Sequence, residues 1–165
     1  MDKRVKGYII SLLLLLMLPG CDGGLAPYQK SYIKGLITYS GGSQNWPPKD
    51  SVFEIRVVAF KKYPPKDILS EITNNQAYFT ETLPLFADTS GFKIEIPRPC
   101  RIEYIVVALR YGINFFNDWR AVGLYCTIGN RNNPTAINVT DGVLLENLNI
   151  TVDFKDLPPQ PFQMK

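Results

Sequence analysis

The stretch FKIEI at residues 92–96 alternates strictly between apolar and charged side chains. Its apolar members, Phe92, Ile94 and Ile96, share one face of an extended chain, because successive side chains of a strand point to opposite sides. A second stretch, EYIVVALRY at residues 103–111, is apolar almost throughout. Such a run is typical of a central strand that is buried on both faces. The two stretches together predict a β-sheet protein.

Five further apolar stretches extend this pattern along the chain: residues 32–39, 52–60, 119–126, 136–139 and 144–154. Each is bounded by Gly, Pro, Asn or Asp, the residues that favour turns. Seven strands at this spacing predict an all-β fold, a seven-stranded antiparallel Greek-key β-sandwich over residues 31–155. A single short helix is expected within residues 65–79, capped by Asp67.

Composition excludes several functional classes. The 165 residues include no His, which removes Ser/His/Asp and Cys/His triads and imidazole metal sites. The formal net charge is only +3, and much of it comes from Lys3, Arg4 and Lys6 near the start. The remainder lacks the basic excess of a protein that binds nucleic acid through bulk charge.

The first 20 residues have the pattern of an export signal. The three cations precede an apolar run at residues 8–18. Its length fits the h-region of a signal peptide and is too short for a bilayer span, which needs about 20 residues. The run ends in Leu18-Pro19-Gly20-Cys21, which resembles the lipobox of bacterial lipoproteins.

This lipobox resemblance implies cleavage before Cys21 and lipidation of its thiol. Residues 21–30 then form a lipidated tether, and the membrane is the first expected partner. The implied location is the cell envelope, on the outer membrane or the periplasmic face of the inner membrane. An ordinary secretory signal and an uncleaved anchor are the alternatives.

Several strands resemble those of carboxypeptidase regulatory-like domains, which belong with the transthyretin-like (prealbumin-like) sandwiches and share their Ig-like architecture. Residues 33–39 are similar to their opening strand, and residues 57–60 to their second. The stretch DTSGFKIEIP at residues 88–97 is the closest match, and residues 105–108 and 143–154 resemble later strands. The resemblance implies this fold and leaves the function open. Residues 156–165 form a Pro-rich tail, expected to be loosely attached.

Two cysteines remain once Cys21 is assigned to the lipid. Cys100 and Cys126 flank the predicted strands at residues 103–111 and 119–126. If these strands form a hairpin, both thiols lie at its open end, and an exported protein favours their pairing. We therefore expect a disulfide, with two separate thiols as the alternative.

Aromatic side chains in the predicted loops are the candidate binding residues: Trp46, Tyr63, Tyr78, Phe79, Phe115 and Phe116. Rings in loops anchor partners or stack on sugars, although they also close the ends of a small sandwich. Trp119, at the start of a strand, is expected in the core. The acidic residues match turns rather than a metal site, and no cofactor or metal is expected.

These observations predict a non-catalytic, membrane-anchored lipoprotein that presents a binding or structural module to another envelope protein. The alternative is a carbohydrate-binding module of the starch-binding type, which would expose Trp46, Tyr63 and Trp119 on one face. A hydrolase would require clustered carboxylates, which the spacing does not indicate.

Overall fold

The computed structural model describes residues 27–66, 68–127, 130 and 133–161, and within them the chain is predominantly β. The strands are β1 Ser31–Tyr39, β2 Glu54–Phe60, β3 Ala77–Phe79, β4 Thr89–Ile96, β5 Cys100–Ile102, β6 Tyr104–Arg110, β7 Trp119–Leu124, β8 Ile137–Val139, β9 Leu144–Leu145 and β10 Ile150–Val152. Among these residues one α-helix, α1, covers Ile68–Thr73. Short 3-10 turns occupy Gly42–Asn45 and Lys49–Ser51. The predicted all-β class is confirmed.

Most strands belong to one sheet in the order β3-β2-β6-β7-β10-β1-β4, with β9 also on β1. Strands β5 and β8 form a separate antiparallel pair. The expectation of a wholly antiparallel arrangement is wrong at β1, because β9 and β10 both pair with it in parallel. Strands that pair in parallel cannot be joined by a tight hairpin, so a crossover connection brings the chain back beside β1.

The last predicted strand, residues 144–154, is divided into β9 and β10. Between them Asn147 adopts a positive φ of 65° and turns the chain. The N–H of Leu148 still donates to the carbonyl of Lys34, with an N···O distance of 3.1 Å. The final strand is thus interrupted only locally, and both of its parts, β9 and β10, pair with β1.

The two halves of the sheet enclose one core, here called the inner cluster. Strands β1, β4 and β10 contribute Ile33, Ile94 and Ile150, while β2 and β6 contribute Val57 and Val107. All of these side chains are nearly or fully inaccessible to solvent. The strict alternation of β4, with Phe92, Ile94 and Ile96 inward, follows from its position with one face on this core.

Some features differ from the prediction or lie outside the described residues. Strands β3 and β5 were not expected, because three residues are too few to carry a periodic signal. The predicted helix is confirmed as the short α1, but its proposed cap, Asp67, lies outside the described residues. Residues 1–20, Cys21 and the first part of the tether also lie outside them.

Candidate functional site

The outward face of β2, β6 and β7 carries a second group of buried apolar side chains, here called the outer cluster. It consists of Val58, Phe60, Ala77, Tyr104, Val106, Ala108, Ala121 and Leu124. Strand β6 is buried on both faces, as the run at residues 103–111 predicted, and β2 is buried almost throughout although it includes Glu54 and Arg56. The other half of the sheet covers only their inner face, so their outer face needs a different cover.

That cover is incomplete and leaves an apolar cavity of about 150 Å³, here called the outer groove. Its floor consists of outer-cluster side chains, and its walls come from α1, β3, the β6–β7 loop and the tail. The lining residues are Arg56, Val58, Phe60, Ile72, Phe79, Val106, Ala108, Phe115, Phe116, Trp119, Arg120, Ala121 and Pro161. Apolar residues predominate, so the groove is suited to apolar groups.

The β6–β7 loop presents two exposed rings at the rim of the groove. Phe115 and Phe116 are 55% and 60% exposed, and their rings meet edge to face with centroids 5.5 Å apart. The backbone beneath them is held by Asn114, whose side-chain oxygen accepts from the N–H of Phe116 at 3.0 Å. The indole N–H of Trp119 donates to the carbonyl of Phe115 at 2.6 Å. The rings are therefore carried on an internally bonded loop.

An ion-pair network stands at one end of the groove. Glu54 is almost fully buried and accepts hydrogen bonds from Arg56, from Arg110 at 3.2 Å and from the Thr82 hydroxyl at 3.0 Å. Arg56 also donates to the carbonyl of Thr80 at 2.7 Å.

The guanidinium of Arg56 lies 5.6 Å from the centroid of the Phe79 ring, so the network supports a rim residue. Burial opposes ionisation of the Glu54 carboxyl, but the bonds from Arg56, Thr82 and Arg110 outweigh burial and hold its pKa below the ordinary value. Glu54 is therefore a structural carboxylate whose bonding capacity is already engaged.

Three of the six predicted binding residues meet at the outer groove. Phe79, which is 45% exposed, joins Phe115 and Phe116 among the lining residues. Tyr78 precedes Phe79 on β3 and packs instead against the inner cluster. Tyr63 is partly exposed beside the ring of Tyr104, at a centroid distance of 5.0 Å, and does not line the groove.

The prediction for Trp46 as a binding residue is corrected by its burial. Its side chain is 8% exposed, and the indole N–H donates to the carbonyl of Ala87 at 2.9 Å. The rings of Tyr39, Phe86 and Phe154 surround it at centroid distances of 4.6, 5.3 and 4.9 Å. Trp46 therefore closes one end of the inner cluster, which is the structural role that the sequence analysis also allowed for a loop ring.

The expected disulfide is not formed, and Cys100 and Cys126 are free thiols. Cys100 belongs to β5, which is not part of the β6–β7 hairpin. Strand β5 pairs instead with β8, where Cys100 lies opposite Val139. Its side chain packs against the inner cluster, whereas Cys126 packs against the outer cluster. The two thiols therefore pack in different clusters, and both are free.

Sequence reasoning missed Trp119 and the tail as parts of the site. Trp119 was expected in the core, but it is half-buried and lines the groove. The tail was expected to be loose, yet Gln160 exchanges two hydrogen bonds with the backbone of Ala121. The start of WRAVGLYC gave some signal, because an aromatic residue at a strand end often lies at a boundary.

Two searches within the described residues bear on ligands and membranes. No group of three or more His, Cys, Asp and Glu side chains is placed to hold a metal ion there. None of the helices in that part of the chain is long and apolar enough to cross a membrane.

No protein-family model matches the chain, and no curated protein or solved structure matches it.

Proposed function

We propose that this protein is a non-catalytic, lipid-anchored component of the bacterial cell envelope that binds an apolar segment of another envelope protein. The single observation that carries the binding role is the outer groove, in which Phe79, Phe115 and Phe116 expose rings beside an apolar floor. Aromatic rings around an apolar pocket are the usual anchors of protein–protein interfaces. The anchor itself is proposed from the lipobox-like sequence ending in Cys21.

We further propose that the fold is a seven-stranded Greek-key sandwich of the transthyretin-like type, resembling carboxypeptidase regulatory-like domains. Support comes from the inner cluster, which draws side chains from both halves of the sheet. The parallel pairing of β1 with β9 and β10 is a departure from the antiparallel pattern of such sandwiches. The proposal therefore concerns the layered architecture, with a local rearrangement at the final strands.

The strand directions support a groove that faces away from the membrane. The tether enters β1 at Ser31, and β1 runs parallel to β10, which is antiparallel to β7. Trp119, at the start of β7, therefore lies toward the Tyr39 end of β1. With about 3.3 Å per residue, the length of β1 separates the tether from the β6–β7 loop by about 25–30 Å. Phe115 and Phe116 are thus remote from the anchored end.

The carbohydrate-binding alternative receives less support. It needs Trp46, Tyr63 and Trp119 on one exposed face, but Trp46 is buried and Tyr63 is separate from the groove. Sugar hydroxyls also require polar partners, and a groove lined mainly by apolar residues offers few. An apolar protein segment fits this lining better.

The test is a pull-down from detergent-solubilised envelope with the intact lipidated protein and two matched variants. Phe116→Ala removes a rim ring, while Ile113→Ala removes a side chain in the same loop that is 87% exposed and does not line the groove. We expect a stoichiometric partner with the wild type and with Ile113→Ala. Loss of about 2 kcal/mol of binding is expected for Phe116→Ala, as for an anchoring ring.

Equal capture by both variants would place the binding surface elsewhere. Turnover of a glycan or peptide that survives purification would overturn the non-catalytic role. Mass spectrometry of the membrane-extracted protein tests the anchor, and an unmodified Cys21 would reject it.

A further inference from the structure

Strand β4 lies at one end of the strand order and presents an open backbone edge. Among the described residues it pairs only with β1. The N–H of Tyr39 donates to the carbonyl of Asp88 at 3.0 Å, which fixes the phase of this ladder. Antiparallel bonds recur at every second residue, so β4 turns the backbone groups of its even-numbered residues toward β1. The N–H and C=O groups of Gly91, Lys93 and Glu95 therefore point away from the sheet.

This edge is accessible to another strand. Gly91, Lys93 and Glu95 are all exposed, and a Cβ built on Gly91 would meet nothing within 4 Å. Within the described part of the chain, no hydrogen bond uses the backbone groups of these three residues. A row of unpaired N–H and C=O groups on an edge strand is a template for pairing with a further strand. The edge lies at the opposite end of the strand order from β3, which contributes to the outer groove.

The two charged residues of the edge differ in their surroundings. Glu95 forms an ion pair with Lys30 at 2.8 Å at an exposed site. Lys93 instead lies opposite Lys34 of β1, and its Nζ lies 3.8 Å from the centroid of the Tyr32 ring. Within the residues that the structure describes, Lys93 has no carboxylate partner. A carboxylate supplied from beyond the edge would therefore compensate its charge.

We propose that β4 pairs antiparallel with β4 of a second copy of this chain, about a two-fold axis that passes between the two Ile94 residues. In this register Lys93 of each copy lies directly opposite Glu95 of the other. Each of these residue pairs exchanges both of its backbone hydrogen bonds, because both members point their N–H and C=O groups outward. Opposite charges directly across a ladder are favourable, and the two-fold symmetry forms the pair twice.

The order of charges along the edge selects this register over its neighbours. A two-fold axis at Lys93 would set two ammonium groups opposite each other, and an axis at Glu95 would set two carboxylates opposite each other. Such like-charge pairs are destabilising. An axis at Phe92 would place Lys93 opposite Gly91 and form no ion pair. Pro97 follows β4 and has no N–H to donate, so the ladder ends near it and the dimer is small and reversible.

Sedimentation equilibrium of the full-length protein in a density-matched non-ionic detergent tests the dimer. A short ladder associates weakly, so the concentration is raised to about 0.5 mM. We expect the dissociation constant to rise about tenfold in Lys93→Glu and in Glu95→Lys, because each change sets like charges opposite each other twice. The double variant Lys93→Glu/Glu95→Lys should return to within about threefold of the wild type, because the opposite charges are restored. An equimolar mixture of the two single variants should form heterodimers for the same reason.

Lys34→Glu is the matched control for these variants. It makes the same charge change on the exposed face of β1, one strand inward from the edge, and should leave the association unchanged. Circular dichroism verifies that each variant keeps the fold. A monomer throughout the concentration range would overturn the proposal. Equal weakening by Lys34→Glu and Lys93→Glu, or a double variant that does not recover, would also overturn it.

Hydrogen exchange in the wild type tests the register without any substitution. The amides of Lys93 and Glu95 should exchange about tenfold more slowly when about nine-tenths of the protein is dimeric, because only the monomer leaves them open. The amide of Ile94 is bonded to β1 in both states and should exchange at the same rate in each. Exchange at Lys93 and Glu95 that does not depend on protein concentration would reject pairing through β4.

Discussion

The backbone carbonyl of Leu148 occupies the place where a side chain at Gly35 would begin. A Cβ built on Gly35 would lie 2.2 Å from the Leu148 oxygen and 2.8 Å from the ring of Phe92. The close approach follows from the turn between β9 and β10, which returns the chain to β1 through the bond from Leu148 to Lys34. Glycine at this position therefore allows the parallel strands to pack beside β1.

Gly35→Ala should destabilise the protein by about 3 kcal/mol, because neither the backbone carbonyl nor the Phe92 ring has space to retreat. Denaturant unfolding followed by circular dichroism measures the effect. Gly91→Ala is the matched control on the neighbouring strand, since a Cβ there meets nothing within 4 Å. Equal stability of the two variants would contradict the packing described at β1.

Trp46→Ala should reduce stability rather than binding. The ring is buried among Tyr39, Phe86 and Phe154, and removal of such a side chain costs about 3–5 kcal/mol. Thermal unfolding should show a large decrease in Tm. Phe116→Ala, which removes an exposed ring, should leave the Tm nearly unchanged. A Trp46→Ala variant that keeps its stability but loses partner binding would contradict this prediction and would show that Trp46 belongs to the binding surface.

Stability should decrease in acid through Glu54. Its pKa is below the ordinary value of 4.5 in the folded protein, so the folded state favours the charged carboxylate. This contribution is present above the unfolded-state pKa and is lost as the pH falls through the folded-state pKa. Urea unfolding between pH 7 and about pH 2 should therefore show a loss that is smaller in Glu54→Gln.

At neutral pH, Glu54→Gln should itself lower the free energy of unfolding by about 2–3 kcal/mol, since the bonds from Arg56 and Arg110 lose their charged acceptor. Glu95→Gln is the control, because Glu95 pairs with Lys30 at an exposed site. Water screens the charges of an exposed pair, so its loss should change stability little. Similar losses for both substitutions would refute a special role for Glu54.

Both Cys100 and Cys126 should react with iodoacetamide in denaturant without prior reduction. In the native protein Cys100 should react slowly, since burial raises the pKa of its thiol and reduces the thiolate fraction. Peptide mapping by mass spectrometry counts the modified sites. Recovery of the two peptides as a linked pair would show that the thiols are oxidised and would contradict their free state in the structure.

Local sequence patterns determined the all-β class and most of the strands. Alternation in residues 92–96 and the apolar run at residues 103–111 depend on side-chain direction along each strand, which is a local property. The same patterns also pointed to Phe115 and Phe116 as loop rings, whereas Phe79, expected in a loop, lies on β3. The short strands β3 and β5 escaped prediction because their pairing partners, rather than their own periodicity, define them.

Tertiary structure alone decided which of the candidate residues act together. Trp46 and Phe116 are both aromatic residues in loops, but one is enclosed by three rings and the other stands at the rim of the groove. The separation of Cys100 from Cys126 and the attachment of Gln160 to Ala121 likewise depend on distant parts of the chain. Burial and pairing arise from contacts between residues far apart in sequence, so local periodicity cannot specify them.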